Sequence, residues 1–152
     1  MRKVPLNKEV LLARLEEIRK DLAELKVYQK MDLSEFRTGK NFAIAEHYLR
    51  RALEAVFDIG SHILSRIPGG RATTYKEIAD LLGKYRIVPR NFAQKKLVRM
   101  AGYRNRLIHF YLEINEIELL KIIQRDLPDV EGFCRYIAEV ISRPEKFGLL
   151  CS

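Results

Sequence analysis

The sequence predicts an all-α fold, an antiparallel up-and-down bundle of about five to six helices. Two observations carry that reading. Apolar residues recur at steps of three and four over two long stretches, and the intervening segments open on helix-capping patterns. A third observation is negative: no segment alternates like a β-hairpin.

Each helix has its own justification. Leu11, Leu15, Ile18, Leu22 and Leu25 form one apolar stripe with Glu, Lys and Arg opposite, which predicts a first helix from about Asn7 to Lys30. Phe42, Ala45, Leu49, Ala52, Val56, Ile59 and Ile63 repeat the spacing over a longer second helix, stopped by Pro68-Gly69-Gly70. Thr74-x-x-Glu77 is a capping box opening a short third helix through Ile78, Leu81 and Leu82. Pro89 suits the first turn of a fourth helix reaching about Leu112. Asn115-x-x-Glu118 predicts the start of a fifth. Pro128 begins a last helix, with Val130, Phe133, Ile137 and Val140 inward, which ends by Pro144.

At 152 residues with 47% apolar composition the chain is expected to be one globular domain, with a core over about 7–143 and a short C-terminal tail. There is no apolar run of about 18 residues, and the first turns are charged, so neither a membrane span nor a signal peptide is expected. Cys134 and Cys151 make no disulfide scaffold, and no Cys/His cluster suggests zinc. The expectation is a reduced, cytoplasmic protein without metal or other cofactor.

Charge gives the first functional hint. The net charge is +8, and one stretch holds the excess. From Lys84 to Leu112 there is no acid, while Lys84, Arg86, Arg90, Lys95, Lys96, Arg99, Arg104 and Arg106 are all present. A one-signed segment attracts polyanions. A solvated basic face is the plainer reading, and the interleaved Tyr85, Phe92, Tyr103, Phe110 and Tyr111 suit either stacking or helix packing.

The fourth helix breaks its own pattern. Its stripe runs Ala93, Leu97, Met100, Arg104, Leu107, Tyr111, so an arginine holds a seam position. A guanidinium on an apolar face must be paired, line a cleft or meet another chain, because an unpaired buried charge costs several kcal/mol, on the order of 3–5. Arg104, Asn105, His109 and Tyr111 make a polar constellation there, with Gly102 beside it. On an ideal helix Arg104 and His109 stand about 140° apart and about 7.5 Å along the axis. A joint site needs a long reach, a distorted helix end or a second subunit.

The pattern Arg104-Asn-Arg-Leu-Ile-His109-Phe-Tyr111 is an R-x4-H-x-Y motif. With it, the chain resembles the HEPN superfamily, and within it the HepT toxins that pair with minimal nucleotidyltransferase (MntA) antitoxins. Phe42-Ala-Ile-Ala-Glu-His-Tyr-Leu, Phe57-Asp-Ile-Gly-Ser-His62 and Tyr75-Lys-Glu-Ile-Ala-Asp80 are similar to that family too, and the likeness covers about Leu11 to Val140. The resemblance implies a single HEPN domain over 1–152, dimeric, with the motifs of two copies meeting in a composite cleft. It implies a type VII toxin–antitoxin pair and a metal-independent endoribonuclease acting on tRNA or mRNA. It also implies inhibition by AMPylation of Tyr111 by a cognate nucleotidyltransferase antitoxin.

Side-chain chemistry agrees with those roles. RNA carries its own nucleophile in the 2′-OH. His109 suits general acid–base work near neutral pH. Arg104 offers a permanent charge to phosphate oxygens, and Asn105 orients either group. Arg90, Lys95, Lys96, Arg99 and Arg106 are the candidates for holding the RNA backbone. Two other readings stay open. One is a non-catalytic HEPN nucleotide-binding or scaffold subunit of a nucleotidyltransferase complex. The other is a helical dimer binding polyanions by charge alone. Asp58 and His62, four apart, are within pairing reach of one another and read as structural. Glu46 and His47 read as a polar boundary, Cys134 as a small core residue and Cys151 as an unremarkable tail residue.

Overall fold

The computed structural model describes residues 3–109 and 113–152. Helix α1, Lys8–Lys26, buries the expected leucine and isoleucine stripe and is capped by Asn7, whose side chain accepts the Val10 N–H at 3.1 Å. It stops short of Lys30; residues 27–30 form turns. One turn of helix, α2 (Leu33–Phe36), follows inside a capping box built by Asp32 and Glu35. Periodicity misses it, because a single turn has no period, yet it seats the fully buried Phe36.

Helix α3, Asn41–Leu64, lies antiparallel to α1. The cross-contacts show it: Asn7 meets His62, Arg14 meets Asp58 and Asp21 meets Arg51, one index rising as the other falls. Asp21 is buried within the α1 stripe, its carboxyl pushed up by burial and held by the Arg51 Nε at 3.2 Å. Asp58 and His62 do not pair. Asp58 is exposed and lies 3.9 Å from Arg14, while His62 Nε2 accepts the Asn7 backbone N–H at 3.0 Å. Both side chains found better partners on α1 than on their own helix.

That contact has a pH consequence. Burial, then the Arg66 charge, push the His62 pKa below its ordinary value. A histidine harder to protonate when folded leaves the unfolded chain binding more protons in acid. Its share of stability is full above the unfolded value of about 6.5 and is lost as pH falls below it. His62→Gln, which keeps an acceptor without a titration, should therefore lose less Tm than the parent between about pH 7.5 and about pH 5.5. Equal losses in the two proteins would remove His62 as the cause.

Helix α4, Tyr75–Lys84, starts where expected. Thr74 accepts the Glu77 N–H at 3.1 Å, and the Glu77 carboxylate returns to the N–H of Thr73 at 2.8 Å. It crosses α3 closely at Gly60, where a Cβ would stand 2.7 Å from Ile78 Cγ2. Tyr75 packs on the buried Phe57, ring centroids 5.3 Å apart.

The fourth predicted helix is three pieces. Helix α5, Arg90–Phe92, is preceded by Pro89 as its N-cap, one place earlier than the first turn. A π-helical turn, Ala93–Leu97, follows, with the Val98 N–H reaching back to Ala93 O. Helix α6, Val98–Ile108, then completes the rod. The extra residue in the π turn lets Ala93, Leu97, Met100 and Ala101 all face inward. The helix ends at Ile108, not near Leu112; His109 is extended (φ −100°, ψ 100°), and Leu112 lies outside the described residues.

Helix α7, Glu116–Arg125, is capped by Asn115, which accepts the Glu118 N–H at 2.9 Å. The reciprocal half of that box is missing, because Glu118 turns to Arg106 instead. Helix α8, Leu127–Ser142, buries Val130, Phe133, Ile137 and Val140 as expected, with Cys134 among them, its thiol pushed up to about 11 by burial. After a 3-10 turn at Pro144–Phe147, the chain end pairs with the start. The Leu6 N–H donates to Leu150 O at 2.7 Å, and the Ser152 N–H to Leu6 O at 3.0 Å. Leu6 and Leu149 are both buried there.

Candidate functional site

The site forms where α6 passes between α3 and the start of α4. Arg104 does hold the seam of α6, as its place in the stripe requires. Its side chain is 11% exposed. The guanidinium lies over the Tyr75 ring at 4.6 Å, and Nη2 stands 3.6 Å from Glu54 Oε1. Nε and Nη1 are buried with no hydrogen-bond partner. A charged, buried group with two unused donors is the exception that calls for an explanation.

Asn105 is half-buried on the next face of α6, and His109 is exposed just past its end. The 140° offset of an ideal helix therefore does not apply to His109, because the backbone has already left the helix at that residue. Of the three ways to build a joint site, the distorted helix end is present within one chain. Tyr111 lies outside the described residues.

The basic segment is less one-signed in space than along the chain. Arg106 forks onto Glu118, with Nη2 2.6 Å from Oε1, and also reaches Glu113 O. Arg99 stands 3.5 Å from Asp126 and Lys96 3.7 Å from Asp129. Asp126 also accepts the Tyr103 hydroxyl at 2.8 Å, which with burial pushes that phenol up to about 12. Acids from α3, α7 and the head of α8 thus meet Arg104, Arg106, Arg99 and Lys96. Arg90 and Lys95 are exposed and make no ion pair among the described residues. Arg90 borders a groove of about 500 Å³ with Arg86, Tyr136 and Phe147.

Glu54 and Tyr75 are the site residues that sequence reasoning missed as such. A seam arginine demands an acid, but Glu54 lies on another helix, and no local spacing connects them. Among the described residues no cluster of His, Cys, Asp and Glu is arranged to hold a metal ion. Among them, too, no helix is long and apolar enough to cross a membrane.

Comparison with known proteins identifies the family and the fold. A family model described as ribonuclease HepT-like matches residues 16–137. A tRNA nuclease HepT of Aphanizomenon flos-aquae is 31% identical over 129 residues, covering 84% of this chain and 87% of the relative. An mRNA nuclease HepT of Shewanella oneidensis is 29% identical over 85 residues, 56% of this chain and 63% of the relative. Among solved structures, the tri-AMPylated HEPN toxin of Shewanella oneidensis in complex with MNT antitoxin superposes with a TM-score of 0.76. It is 23% identical and covers 86% of this chain and 97% of that one.

Proposed function

Because the chain belongs to the ribonuclease HepT-like family, we propose that it cleaves RNA without a metal ion, at a site built from Arg104, Asn105 and His109. It is an endoribonuclease and the toxin half of a toxin–antitoxin pair. The observation that carries the site assignment is Arg104, a guanidinium 11% exposed on the motif helix, with Nε and Nη1 buried and partnerless among the described residues and Nη2 turned to the Glu54 edge.

The chemistry follows from the side chains. His109 takes the proton from the 2′-OH, whose oxygen attacks the adjacent phosphorus. Negative charge grows on the non-bridging oxygens, and Arg104 answers it through Nη2, the nitrogen at the Glu54 edge of its slot. The bond from phosphorus to the 5′-oxygen breaks, and an imidazolium protonates that oxygen. In a homodimer the His109 of a second copy takes that last step. The products are a 2′,3′-cyclic phosphate and a 5′-hydroxyl. Asn105, beside Arg104, orients the phosphate.

The substrate is tRNA or mRNA, met in the cytoplasm by the whole chain acting as one domain. The second partner is a nucleotidyltransferase antitoxin that transfers AMP to Tyr111. Tyr111 follows His109 by two residues in the sequence, so the adduct adds a nucleotide's bulk and charge to the motif itself.

The test is cleavage of total tRNA and of mRNA in EDTA by the purified, unmodified protein, with product ends resolved. Cyclic phosphate ends establish the reaction. No cleavage by a dimer whose Tyr111 mass is unmodified would shift the reading to a nucleotide-binding subunit. Co-expression with a cognate nucleotidyltransferase antitoxin should silence cleavage and add AMP mass to the Tyr111 peptide.

Phosphate contacts also differ in a measurable way. Lys95 is exposed and pairs with no acid among the described residues, so Lys95→Ala should lower the salt slope of single-stranded RNA binding by about 0.7. Lys96 already faces Asp129, so Lys96→Ala should change the slope much less. Anisotropy titrations across a salt series, done on a His109→Ala background to prevent cleavage, decide it. Equal slopes for the two variants would place the RNA elsewhere.

A further inference from the structure

Arg104 is held by two contacts that between them fix its position and its direction. Its Cζ stands over the Tyr75 ring, 4.6 Å from the centroid, and the Glu54 carboxylate stands 3.6 Å from Nη2. A ring under Cζ alone fixes where the head sits and leaves its direction free. One contact at Nη2 alone sets a direction and leaves the head free to lift off the ring. Tyr75 is itself braced from behind by the fully buried Phe57 at 5.3 Å. It sits in the first turn of α4, whose N-terminus is pinned by Thr74 and by the Thr73–Glu77 bonds.

We infer that Tyr75 is a positioning residue for Arg104, with Glu54 as its second support, and that the pair aims Nη2 at the scissile phosphate. The inference rests on the reading that Arg104 answers charge at that phosphate. Among the described residues Nε and Nη1 have no hydrogen-bond partner, and Tyr75 is the one aromatic ring set against Arg104. Tyr75 does not touch the RNA in this reading; it acts through Arg104.

A stack of this kind is worth about 0.5–2 kcal/mol, which converts to about 2- to 30-fold in rate if it is needed in the transition state. Tyr75→Leu should lower kcat in that range with KM little changed. Tyr75→Phe keeps the ring face and should keep kcat. Glu54→Gln, which keeps shape and loses charge, should lower kcat by a smaller factor.

Two readouts separate positioning from mere packing. First, in an Arg104→Lys background, Tyr75→Leu should cost little further activity, while its effect on Tm is unchanged. Secondly, the side-chain Nε–H of Arg104, assigned in a nitrogen-15 spectrum by its loss in Arg104→Lys, should shift downfield in Tyr75→Leu as the ring current is removed. In Tyr75→Phe, which keeps the ring, the resonance should stay at the parent position.

If Arg104→Ala cleaves RNA like the parent, the reading of Arg104 fails, and this inference with it. If Arg104→Ala is inactive but Tyr75→Leu keeps full kcat, Arg104 stands and the positioning role of Tyr75 is overturned. Full additivity of the two substitutions on kcat would overturn it as well.

Discussion

Replacing His109 by alanine should lower kcat for RNA cleavage by about 10²–10⁴, the range general acid–base groups supply, and leave RNA affinity nearly unchanged. The reason is positional. His109 is exposed just past the end of α6, outside the helical core, so its removal opens no cavity there. It is also not part of the apolar stripe that fixes α6 against α3 and α4. Activity and stability should therefore separate cleanly in this variant. Equilibrium binding and thermal melts should match the parent while single-turnover cleavage collapses. If His109 serves both as base and, from a second copy, as acid, mixed dimers of parent and variant chains should fall well below half activity. Half activity in mixed dimers would mean that each copy works alone. Full activity of the variant would remove His109 from the chemistry.

Arg104→Met should move activity and stability in opposite directions. Two buried nitrogens of Arg104 lack acceptors, and each unmade bond of this kind costs about 1–3 kcal/mol. The stack on Tyr75 returns about 2 kcal/mol at most. The Glu54 pair stands 3.6 Å apart on a 40% exposed carboxylate, which water screens, so it adds less than about 1 kcal/mol. Methionine fills much of the same slot with no donors to satisfy, and Glu54 can turn to solvent. Folding should gain on the order of 1 kcal/mol, seen as a raised Tm. Cleavage should fall by about 10²–10³, the loss usual for one donor at a developing charge. A variant that is both less stable and inactive would mean that Arg104 is a structural ion pair. An active variant would end its role in the reaction.

The residues that were legible in the sequence share one property: their causes are local. Asn7, Thr74 and Asn115 cap helices with bonds spanning three residues. The stripes of α1, α3 and α8 are read by period alone. Arg104 betrayed itself the same way, as a cation at an apolar position. Errors arose where a local pattern met a distant competitor. Glu118 has the spacing of a capping box but is taken by Arg106, which lies on α6. Asp58 and His62 have pairing geometry on one helix, yet α1 offers each a better partner. The π turn at Ala93–Leu97 has no spacing signature, because it is the packing of α6 that rewards the extra residue.

By itself, then, the sequence determined the helical class, most helix starts, the basic segment and the motif that marks the family. Those follow from short-range sterics, capping and periodicity, which act within a few residues. Only the tertiary structure decided which charges stay free. The acid-free stretch is met by Glu54, Asp126, Asp129 and Glu118, brought from other helices by burial of apolar faces that have no bearing on charge. It also decided that Arg104 rests on Tyr75, 29 positions away in sequence, a contact made by α4 crossing α3 at Gly60. Coulomb and stacking forces fall off over a few ångströms, so what a side chain meets is set by the packing of helices and not by the order of residues.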